Sequence, residues 1–401
     1  MFFRIYHTNE AILIFNILKA NLIVINKQNL SMSIEDKTYL DNLNIIKSHN
    51  SSGIVGIIQI GIYEILIFIS SSKKIGNIGD KEIYEIIDVD FIQISKTSDN
   101  EYFKTRGEIV TILEEIKIIF QEGFFYSHNF DLTNSLQNQK NIKMMNNNKY
   151  DFIQNANLDF LWNYELCAKF FDNQVDSNFL LNIIRGFVEI RREILHENSH
   201  FDYILISRRS TKNAGVKSIK KGVDNYGYVA NYLETEQIFI YGKNVFSFVQ
   251  IRGNPPLLYN KFYASHYENK KMNSEIYLMQ EIFDKHFKNI LAQTSYKYVF
   301  VINLMNNFNH EEKALTEQYE KLILDRNYKN LRYTFFDYDS QTKNLNSLEK
   351  DRKNIFNVEY DDVILTPNNP VDRFLKQIEE ILNEFKFFGV LYCSDETKEK
   401  K

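Results

Sequence analysis

An apolar run of eighteen residues, Gly53 to Ser70, constrains the fold more strongly than any other segment of the chain. The run is about long enough to span a bilayer as a helix. It carries Gln59 and Glu64, however, it is rich in β-branched residues, and Gly61 lies at its centre. Two buried strands joined near Gly61 account for these features better than a membrane helix does. The sequence therefore predicts a soluble, strand-rich fold in this region.

The surrounding sequence predicts further strands and a helix before a polar break. Short apolar segments alternate with turn residues from the N-terminus to about residue 135, which is typical of strands. Apolar residues recur at helical spacing from Glu108 to Phe120, so we expect an amphipathic helix there. The polar tract Ser135–Lys149 is typical of a surface loop, and we place a domain boundary in it. The predicted domains are residues 1–149 and 150–401.

The second predicted domain begins with a helix and continues as a meander of strands. Phe160–Phe171 contains the only tryptophan and is predicted to be helical. Val188–Leu195 alternates apolar and charged residues, which is the period of a strand. More strand patterns follow, and the turn residues between them predict an antiparallel meander. These strand patterns cover Tyr203–Ser207, Val216–Val223, Tyr228–Tyr241 and Val245–Ile251.

Helical patterns return after the meander. Met272–Thr294 and Glu311–Arg326 are predicted helices that flank an apolar strand, Tyr298–Leu304. The polar segment Ser340–Pro370 is predicted to be an inserted loop, and Val371–Phe387 a final amphipathic helix. The predicted fold class is α/β of the α+β kind. It consists of a β-rich N-terminal subdomain and then a subdomain with a mixed central sheet flanked by helices.

Because the chain is slightly acidic overall, any anion site must depend on local positive charge. The chain carries 48 Lys and Arg against 52 Asp and Glu, a net charge of −4. This balance gives no overall attraction to nucleic acid, so we expect no nucleic-acid partner. Two cysteines, Cys167 and Cys393, are too few for a disulfide framework or a four-cysteine zinc site, which fits a reducing cytosol. We expect no metal and no cofactor.

One short motif matches a zinc-protease signature. His196–His200 reads HENSH and fits the His-Glu-x-x-His pattern, in which both imidazoles must lie on one helical face. Both flanking segments have strand patterns, however, and a hairpin connection would splay the two histidines. No obvious third ligand follows in the sequence. These observations favour a turn between two strands over a metal site.

Neither cysteine has the setting of a phosphatase nucleophile. A thiolate that attacks phosphate esters lies in a loop where an arginine follows at the sixth position, so that the guanidinium and loop N–H groups surround the phosphate. Asn173 occupies that position after Cys167, and Glu399 occupies it after Cys393. Cys167 lies in an apolar segment and is predicted to belong to the core. We therefore assign no catalytic residue.

A cluster of cations is the local candidate for an anion site. Because strand residues alternate between faces, Lys217 and Lys221 share a face and Lys220 lies on the other. Scattered cations on a solvated hairpin explain the cluster from composition alone. The alternative is an anion site within an acidic protein, and both interpretations stay open at this point. The cluster comprises six residues within fourteen positions: Arg208, Arg209, Lys212, Lys217, Lys220 and Lys221.

Two glutamates interrupt an otherwise apolar strand nearby. Glu234 and Glu236 share one face of Tyr228–Tyr241, and the next strand places Gln250 and Arg252 together on a face. We interpret Glu234, Glu236 and Gln250 as parts of a structural cross-strand network with an arginine. Arg252, which a glycine and two prolines follow, has the alternative of pointing into a cleft.

Three consecutive segments resemble motifs of the Sac domain. They are SRRSTKNAG from Ser207, KKGVDNYGYVANYLETEQ from Lys220 and FVQIRGNPPL from Phe248. The family patterns are Ser-Arg-Arg-Ser…Arg-Ala-Gly, then Arg-Gly-x-Asp…Ala-Asn-x-x-Glu-Thr-Glu-Gln, then Gln-x-Arg-Gly-Ser-x-Pro, in the same order and spacing. The resemblance extends to FFYSHNFDLTNSLQ, FLWNYEL and LRYTFFDYDSQTK, and thus over nearly the whole chain.

The resemblance implies a phosphatase that removes phosphate from the inositol ring of membrane phosphoinositides. In the family the nucleophile is the cysteine of a Cys-x5-Arg loop, which follows the region resembling FFGVLYCSDET, and this sequence ends at Lys401. The family serine of Arg-Gly-Ser is Asn254 here. We therefore expect a chain without the nucleophile. The phosphate-binding residues that we predict are Arg208, Arg209, Lys217, Lys221 and Arg252.

Two hypotheses follow from these observations. The chain is either a Sac-type phosphatase domain that lacks its catalytic segment, or a non-catalytic Sac-like module that binds phosphoinositides or scaffolds a protein partner. Under either hypothesis the expected ligands are phosphoinositide headgroups. The family resemblance also implies a cytoplasmic protein that is peripheral on membranes, with the endoplasmic reticulum or Golgi as the expected membranes.

Overall fold

Two compact units make up the protein in the computed structural model. The first comprises Met1–Thr211, Leu233–Arg252 and Phe388–Lys401, and the second comprises Lys212–Tyr232 and Gly253–Phe387. Both helices and sheets are present, so the predicted α/β class is confirmed. The residues that the structure describes are 2–95, 102–145, 153–175, 179–196, 199–213, 221–259, 272–293, 298–341, 373–376, 379, 383 and 388–391.

The first unit opens with a five-stranded antiparallel sheet. Its spatial order is β4-β3-β2-β1-β5. Apolar side chains from its strands, including Ile5, Ile14 and Ile23, are fully buried in a cluster with Phe68. These three isoleucines are cross-strand partners, so they share one face of the sheet and are buried together. The strands are β1 Phe3–His7, β2 Ala11–Asn16, β3 Asn21–Asn26, β4 Met32–Asp36 and β5 Lys47–Ser51.

A nine-stranded antiparallel sheet forms the rest of the β structure in this unit. In spatial order its strands are β16 Phe388–Leu391, β13 Asn244–Arg252, β12 Leu233–Tyr241, β11 Ser199–Arg209, β10 Ile184–His196, β9 Phe124–Tyr126, β8 Lys81–Gln93, β7 Tyr63–Ile78 and β6 Gly53–Ile60. Strands β6 and β7 pair with each other and are joined at Gly61, as predicted. Strands from both sides of residue 149 share this sheet, and the domain boundary predicted there stays a prediction.

The predicted meander is confirmed for β10 to β13, which pair in sequence order with antiparallel register. Strand β12 begins later than predicted, at Leu233. Residues 228–232 lie outside the strand, since the Asp224 carboxylate accepts hydrogen bonds from the backbone N–H groups of Tyr226 and Tyr228 and so builds a turn. Most of Val216–Val223, predicted to be a strand, lies outside the described residues.

Three helices accompany these sheets: α1 Tyr102–Phe120, α2 Leu136–Met145 and α3 Ala168–Asp172. Helix α1 confirms the helix predicted from Glu108 to Phe120. The surface loop predicted for Ser135–Lys149 is wrong, because α2 occupies most of it. Ser135 Oγ accepts from the N–H of Asn138, and the Glu236 carboxylate accepts from the N–H of Leu136 at 2.8 Å. Both acceptors satisfy first-turn donors, and Ser135 is a local cap whereas Glu236 comes from a distant strand.

The helix predicted for Phe160–Phe171 is only partly correct. A short 3-10 helix, Glu165–Cys167, precedes α3, and the residues before it form turns. The cause is Asn163, whose amide donates to the carbonyls of Val55 and Leu181 at 3.0 and 2.9 Å. This buried side chain ties the segment to two neighbouring strands, which outweighs its helical apolar pattern.

The second unit contains a strand–helix–strand arrangement and one more long helix. Strands β14 Val299–Asn303 and β15 Leu331–Phe335 are parallel, and helix α5 His310–Arg326 connects them. Helix α4 Met272–Gln293 supplies Phe283 and Phe287 to the core of this unit. The two predicted helices and the strand near residue 300 are thus confirmed. Within the described part of the chain, no helix has both the length and the apolarity to cross a bilayer.

Candidate functional site

The register of β10 to β13 places neighbouring charged residues on opposite faces of the sheet. Arg208 pairs with Glu234 across β11 and β12, while Arg209 pairs with Leu233. Because side chains alternate along a strand, Arg208 and Arg209 point to different faces. We call the face that carries Arg208 the inner face and the face that carries Arg209 the cleft face.

On the inner face, Arg208 is fully buried and its guanidinium is surrounded by acceptors. It pairs with Glu234 at 3.0 Å and with Glu236 at 2.6 Å. It also donates to the backbone carbonyls of Leu132 and Asn134. A buried arginine persists only when its charge is paired and its donors are satisfied, and both conditions are met here. We define Arg208, Glu234 and Glu236 as the buried network.

The buried network reaches beyond these three side chains. Glu236 also accepts a hydrogen bond of 2.6 Å from Ser247 Oγ, in addition to the one from the first turn of α2. Burial raises the pKa of Glu234 to about 7, although the Arg208 guanidinium opposes this shift. The two carboxylates therefore hold Arg208 between α2 and the sheet. Gln250, predicted as a member, is exposed on β13 and lies on the cleft face.

The cleft face contains a cavity of about 460 Å³ within the first unit. Three arginines line it, one from each of three strands: Arg185 from β10, Arg209 from β11 and Arg252 from β13. We name this cavity the arginine cleft. Its other lining groups include the hydroxyls of Ser207 and Thr235 and the carboxylate of Glu122. Its volume falls in the range of small-molecule sites.

Arg185 is the most firmly held cation of the arginine cleft. Its guanidinium lies 5.3 Å from the ring centroid of Phe124 and 5.4 Å from that of Trp162. It pairs with Glu122 at 3.3 Å. Burial and the positive charge of Arg209 lower the pKa of Arg185 from its ordinary value, and Glu122 opposes this change. Two guanidinium groups are thus close enough to repel each other.

The other two cations of the arginine cleft, Arg209 and Arg252, have no acidic partner among the described residues. Across the described ranges, no carboxylate pairs with Arg209 or Arg252, and both side chains are exposed. The backbone carbonyl of Arg209 accepts a hydrogen bond of 2.8 Å from Trp162 Nε1, which fixes the strand end beside Arg185. The arginine cleft therefore carries positive charge that the described residues do not neutralise.

Close strand packing forms the base of the arginine cleft. Ser207 Oγ and Thr235 Oγ1 are 2.9 Å apart across β11 and β12. A Cβ atom at Gly186 would lie only 1.8 Å from the Ser207 carbonyl oxygen. Glycine is therefore required where β10 approaches β11, because any larger residue would push these two strands apart.

Two of the five predicted phosphate-binding residues, Arg209 and Arg252, line the arginine cleft. Arg208 instead belongs to the buried network, and Lys221 is exposed in the second unit. Lys217 lies outside the described residues. Sequence reasoning missed Arg185. The available signal was its position, since Arg185 comes three residues before the strand pattern of β10 and immediately before a glycine.

The remaining candidates from the sequence are the two cysteines and the His196–His200 motif, and their described residues have structural positions. Cys167 is buried in the core, as predicted, and burial raises the pKa of its thiol to about 12. His196 and His200 lie on the paired strands β10 and β11, and Glu197 and Asn198 between them lie outside the described residues. Cys393 lies outside the described residues.

Comparison with known proteins identifies the class. The family model of the SacI homology domain matches residues 52–343. Phosphatidylinositol-3-phosphatase SAC1-B of Danio rerio is 28% identical over 295 residues, covering 72% of this chain and 49% of that protein. Phosphoinositide phosphatase SAC7 of Arabidopsis thaliana is 26% identical over 324 residues, covering 78% and 52%. Phosphatidylinositol-3-phosphatase SAC1 of Drosophila melanogaster is 26% identical over 313 residues, covering 78% and 51%.

The chain belongs to the SacI homology domain family, since the family model covers well over half of it. It spans about half the length of the curated relatives that it matches. The segments that first pointed to the family include the end of β11, the start of β12 and the end of β13, and these strands carry both the buried network and most of the arginine cleft.

Proposed function

We propose that this chain is a phosphoinositide-recognising Sac-type domain and that its own two cysteines do not catalyse hydrolysis. The observation that carries the first part is membership of the SacI homology family, whose matched relatives are named phosphoinositide phosphatases. An arginine cleft in a chain of net charge −4 supports the same ligand class, because phosphate binding requires concentrated local charge. Peripheral association with membranes follows from a lipid ligand.

The second part rests on the chemistry of the thiols. Catalysis by cysteine needs a thiolate beside a phosphate-binding arginine. Cys167 is buried with a raised pKa, and Asn173 takes the sixth position after it. Glu399 takes the sixth position after Cys393. Neither residue therefore has the Cys-x5-Arg arrangement in the 401 residues.

Incubation of the purified 401-residue protein with vesicles containing phosphatidylinositol 4-phosphate tests the proposal. We expect the protein to co-sediment with these vesicles and to release no inorganic phosphate above the blank. The Danio rerio relative, assayed under the same conditions, serves as a positive control for the phosphate measurement. Steady turnover by the pure chain would overturn the second part of the proposal, and failure to co-sediment would overturn the first.

The alternative is a non-catalytic Sac-like module that binds phosphoinositides or scaffolds a protein partner. It is favoured by the buried thiol of Cys167, whose raised pKa does not suit attack on a phosphate ester. Sequencing the transcript beyond codon 401 separates the two. An in-frame Cys-x5-Arg segment supports a phosphatase, whereas a stop codon directly after Lys401 supports the binding module.

A further inference from the structure

We propose that the arginine cleft binds the phosphate group of a phosphoinositide headgroup and that Glu122 competes with this phosphate for Arg185. The identity of the headgroup rests on the proposed function. The site itself rests on geometry: three arginines from separate strands line one cavity. The chemistry that the site recognises is that of a phosphate monoester, whether the monoester is part of a lipid or of a soluble inositol phosphate.

The charges of the arginine cleft match this ligand. Three guanidinium groups face one carboxylate, so two positive charges are in excess. A phosphate monoester carries about −1.5 to −2 at neutral pH, which offsets that excess. Arginine also suits the role geometrically, because its planar fork donates two parallel hydrogen bonds to phosphate oxygens.

Arg185 and Arg209 also repel each other, since the positive charge of Arg209 lowers the pKa of Arg185. Like charges held together raise the free energy of the unliganded protein, and a bound dianion removes that cost. Both residues are fixed independently of a ligand: Arg185 lies against two aromatic rings, and the Arg209 backbone is bonded to Trp162. The Arg185 guanidinium and the Arg209 backbone are therefore positioned in advance, which reduces the entropy lost on binding.

Glu122 provides the competing interaction. Its carboxylate lies 3.3 Å from Arg185 and its side chain is 68% exposed, while that of Arg185 is 23% exposed. An exposed ion pair contributes little because water and salt screen it. A phosphate can therefore displace Glu122 without disturbing the fold. Removal of the Glu122 charge should tighten phosphate binding, a result that scattered surface cations do not predict.

Four glutamine substitutions test the proposal, with binding of soluble inositol 1,4-bisphosphate measured by calorimetry. Arg185→Gln, Arg209→Gln and Arg252→Gln should each weaken binding by about tenfold, as expected for one charge-assisted hydrogen bond. Glu122→Gln should tighten binding by about twofold to fivefold, the strength of an exposed ion pair. The matched control is Arg192→Gln, on the same strand as Arg185, paired with Asp202 and 71% exposed, which should change binding less than twofold.

Vesicles distinguish the lipid from the soluble source. Vesicles with phosphatidylinositol 4-phosphate are compared with phosphatidylserine vesicles of equal surface charge. A selective loss for the phosphoinositide vesicles in the three arginine variants supports headgroup recognition. Equal losses on both vesicle types, without any effect on the soluble bisphosphate, would show general charge attraction and overturn the proposal.

The possible negative results contradict different parts of the proposal. If the wild-type protein binds the bisphosphate and all three arginine variants bind it equally well, the arginine cleft is not the site, although the proposed function stands. If the wild-type protein prefers neither phosphoinositide vesicles nor the bisphosphate, the proposed ligand class fails as well. Should Arg185→Gln fail to fold, Glu122→Gln still decides, because unchanged or weaker binding in that variant contradicts the competition.

Discussion

Arg208 and Arg209 are neighbours in the chain and opposites in the structure. On the inner face, Arg208 is fully buried and meets two carboxylates, whereas Arg209 on the cleft face is exposed and pairs with no carboxylate of the described residues. The strand period alone separates them, because consecutive residues of β11 point to opposite faces. Two consecutive arginines in the sequence therefore do not both contribute to one anion site. The first charge is neutralised within the protein, whereas no described carboxylate neutralises the second.

The two faces should respond very differently to the loss of an arginine. Arg208→Gln leaves Glu234 and Glu236 buried without their cation, and removal of one partner from a buried pair costs about 3–5 kcal/mol. Arg209→Gln removes an exposed charge that is repelled by Arg185, so the free energy of unfolding should change by less than about 0.5 kcal/mol. Urea unfolding of both variants measures the difference.

Equal losses in these two variants would contradict the contrast between the faces. A second comparison tests whether uncompensated charge causes the large loss of stability in Arg208→Gln. Replacing Glu234 and Glu236 with glutamine in the Arg208→Gln background removes the uncompensated charges and should recover part of the stability. If the triple variant is no more stable than Arg208→Gln, uncompensated charge is not the cause.

Gly186 lies where both faces depend on the spacing of β10 and β11. Gly186→Ala places a Cβ atom 1.8 Å from the Ser207 carbonyl oxygen, so the strands must separate, and we expect a loss of about 2 kcal/mol. The control is Gly107→Ala in α1, where nothing lies within 4 Å and alanine should stabilise by about 0.5–1 kcal/mol. A melting temperature at or above that of the wild type for Gly186→Ala would show that the strands tolerate the methyl group.

The elements that the sequence predicted well are those whose signal is local. Val188–Leu195 alternates apolar and charged residues and lies within β10, and the two strands joined at Gly61 follow from an apolar run with a glycine at its centre. The alternation also correctly placed Glu234 and Glu236 on one face of β12. Such patterns depend on neighbouring residues and need no knowledge of the tertiary structure.

The elements that the sequence predicted poorly depend on distant contacts. Helix α2 begins at Leu136, whose N–H is bonded to Glu236, a hundred positions away. Arg185 joins the arginine cleft only because β10 pairs with β11 in one particular register and because Phe124 and Trp162 flank its guanidinium. A list of cations cannot reveal that Arg208 is neutralised while Arg185, from another strand, takes a place beside Arg209. Register and burial decide both outcomes.

The smallest effect that separates the faces is a difference in the pH dependence of stability. Burial raises the pKa of Glu234 from 4.5 to about 7, so its contribution to stability is complete below pH 4.5 and is lost as the pH rises through 7. His7 and His128 act in the opposite direction, because burial lowers their pKa from 6.5 to about 4. Their contribution is present above pH 6.5 and is lost as the pH falls through 4.

Between pH 4.5 and 6.5 these contributions oppose each other in the wild-type protein. Glu234→Gln removes the contribution to stability that falls as the pH rises. The free energy of unfolding should therefore rise more steeply with pH, by up to about 1.4 kcal/mol per pH unit. Urea unfolding at pH 4.5, 5.5 and 6.5 measures this slope. Glu122→Gln makes the same chemical change at an exposed side chain of the arginine cleft and should give the wild-type slope. A Glu234→Gln slope equal to or flatter than that of the wild type would mean that the Glu234 proton does not distinguish the folded from the unfolded chain.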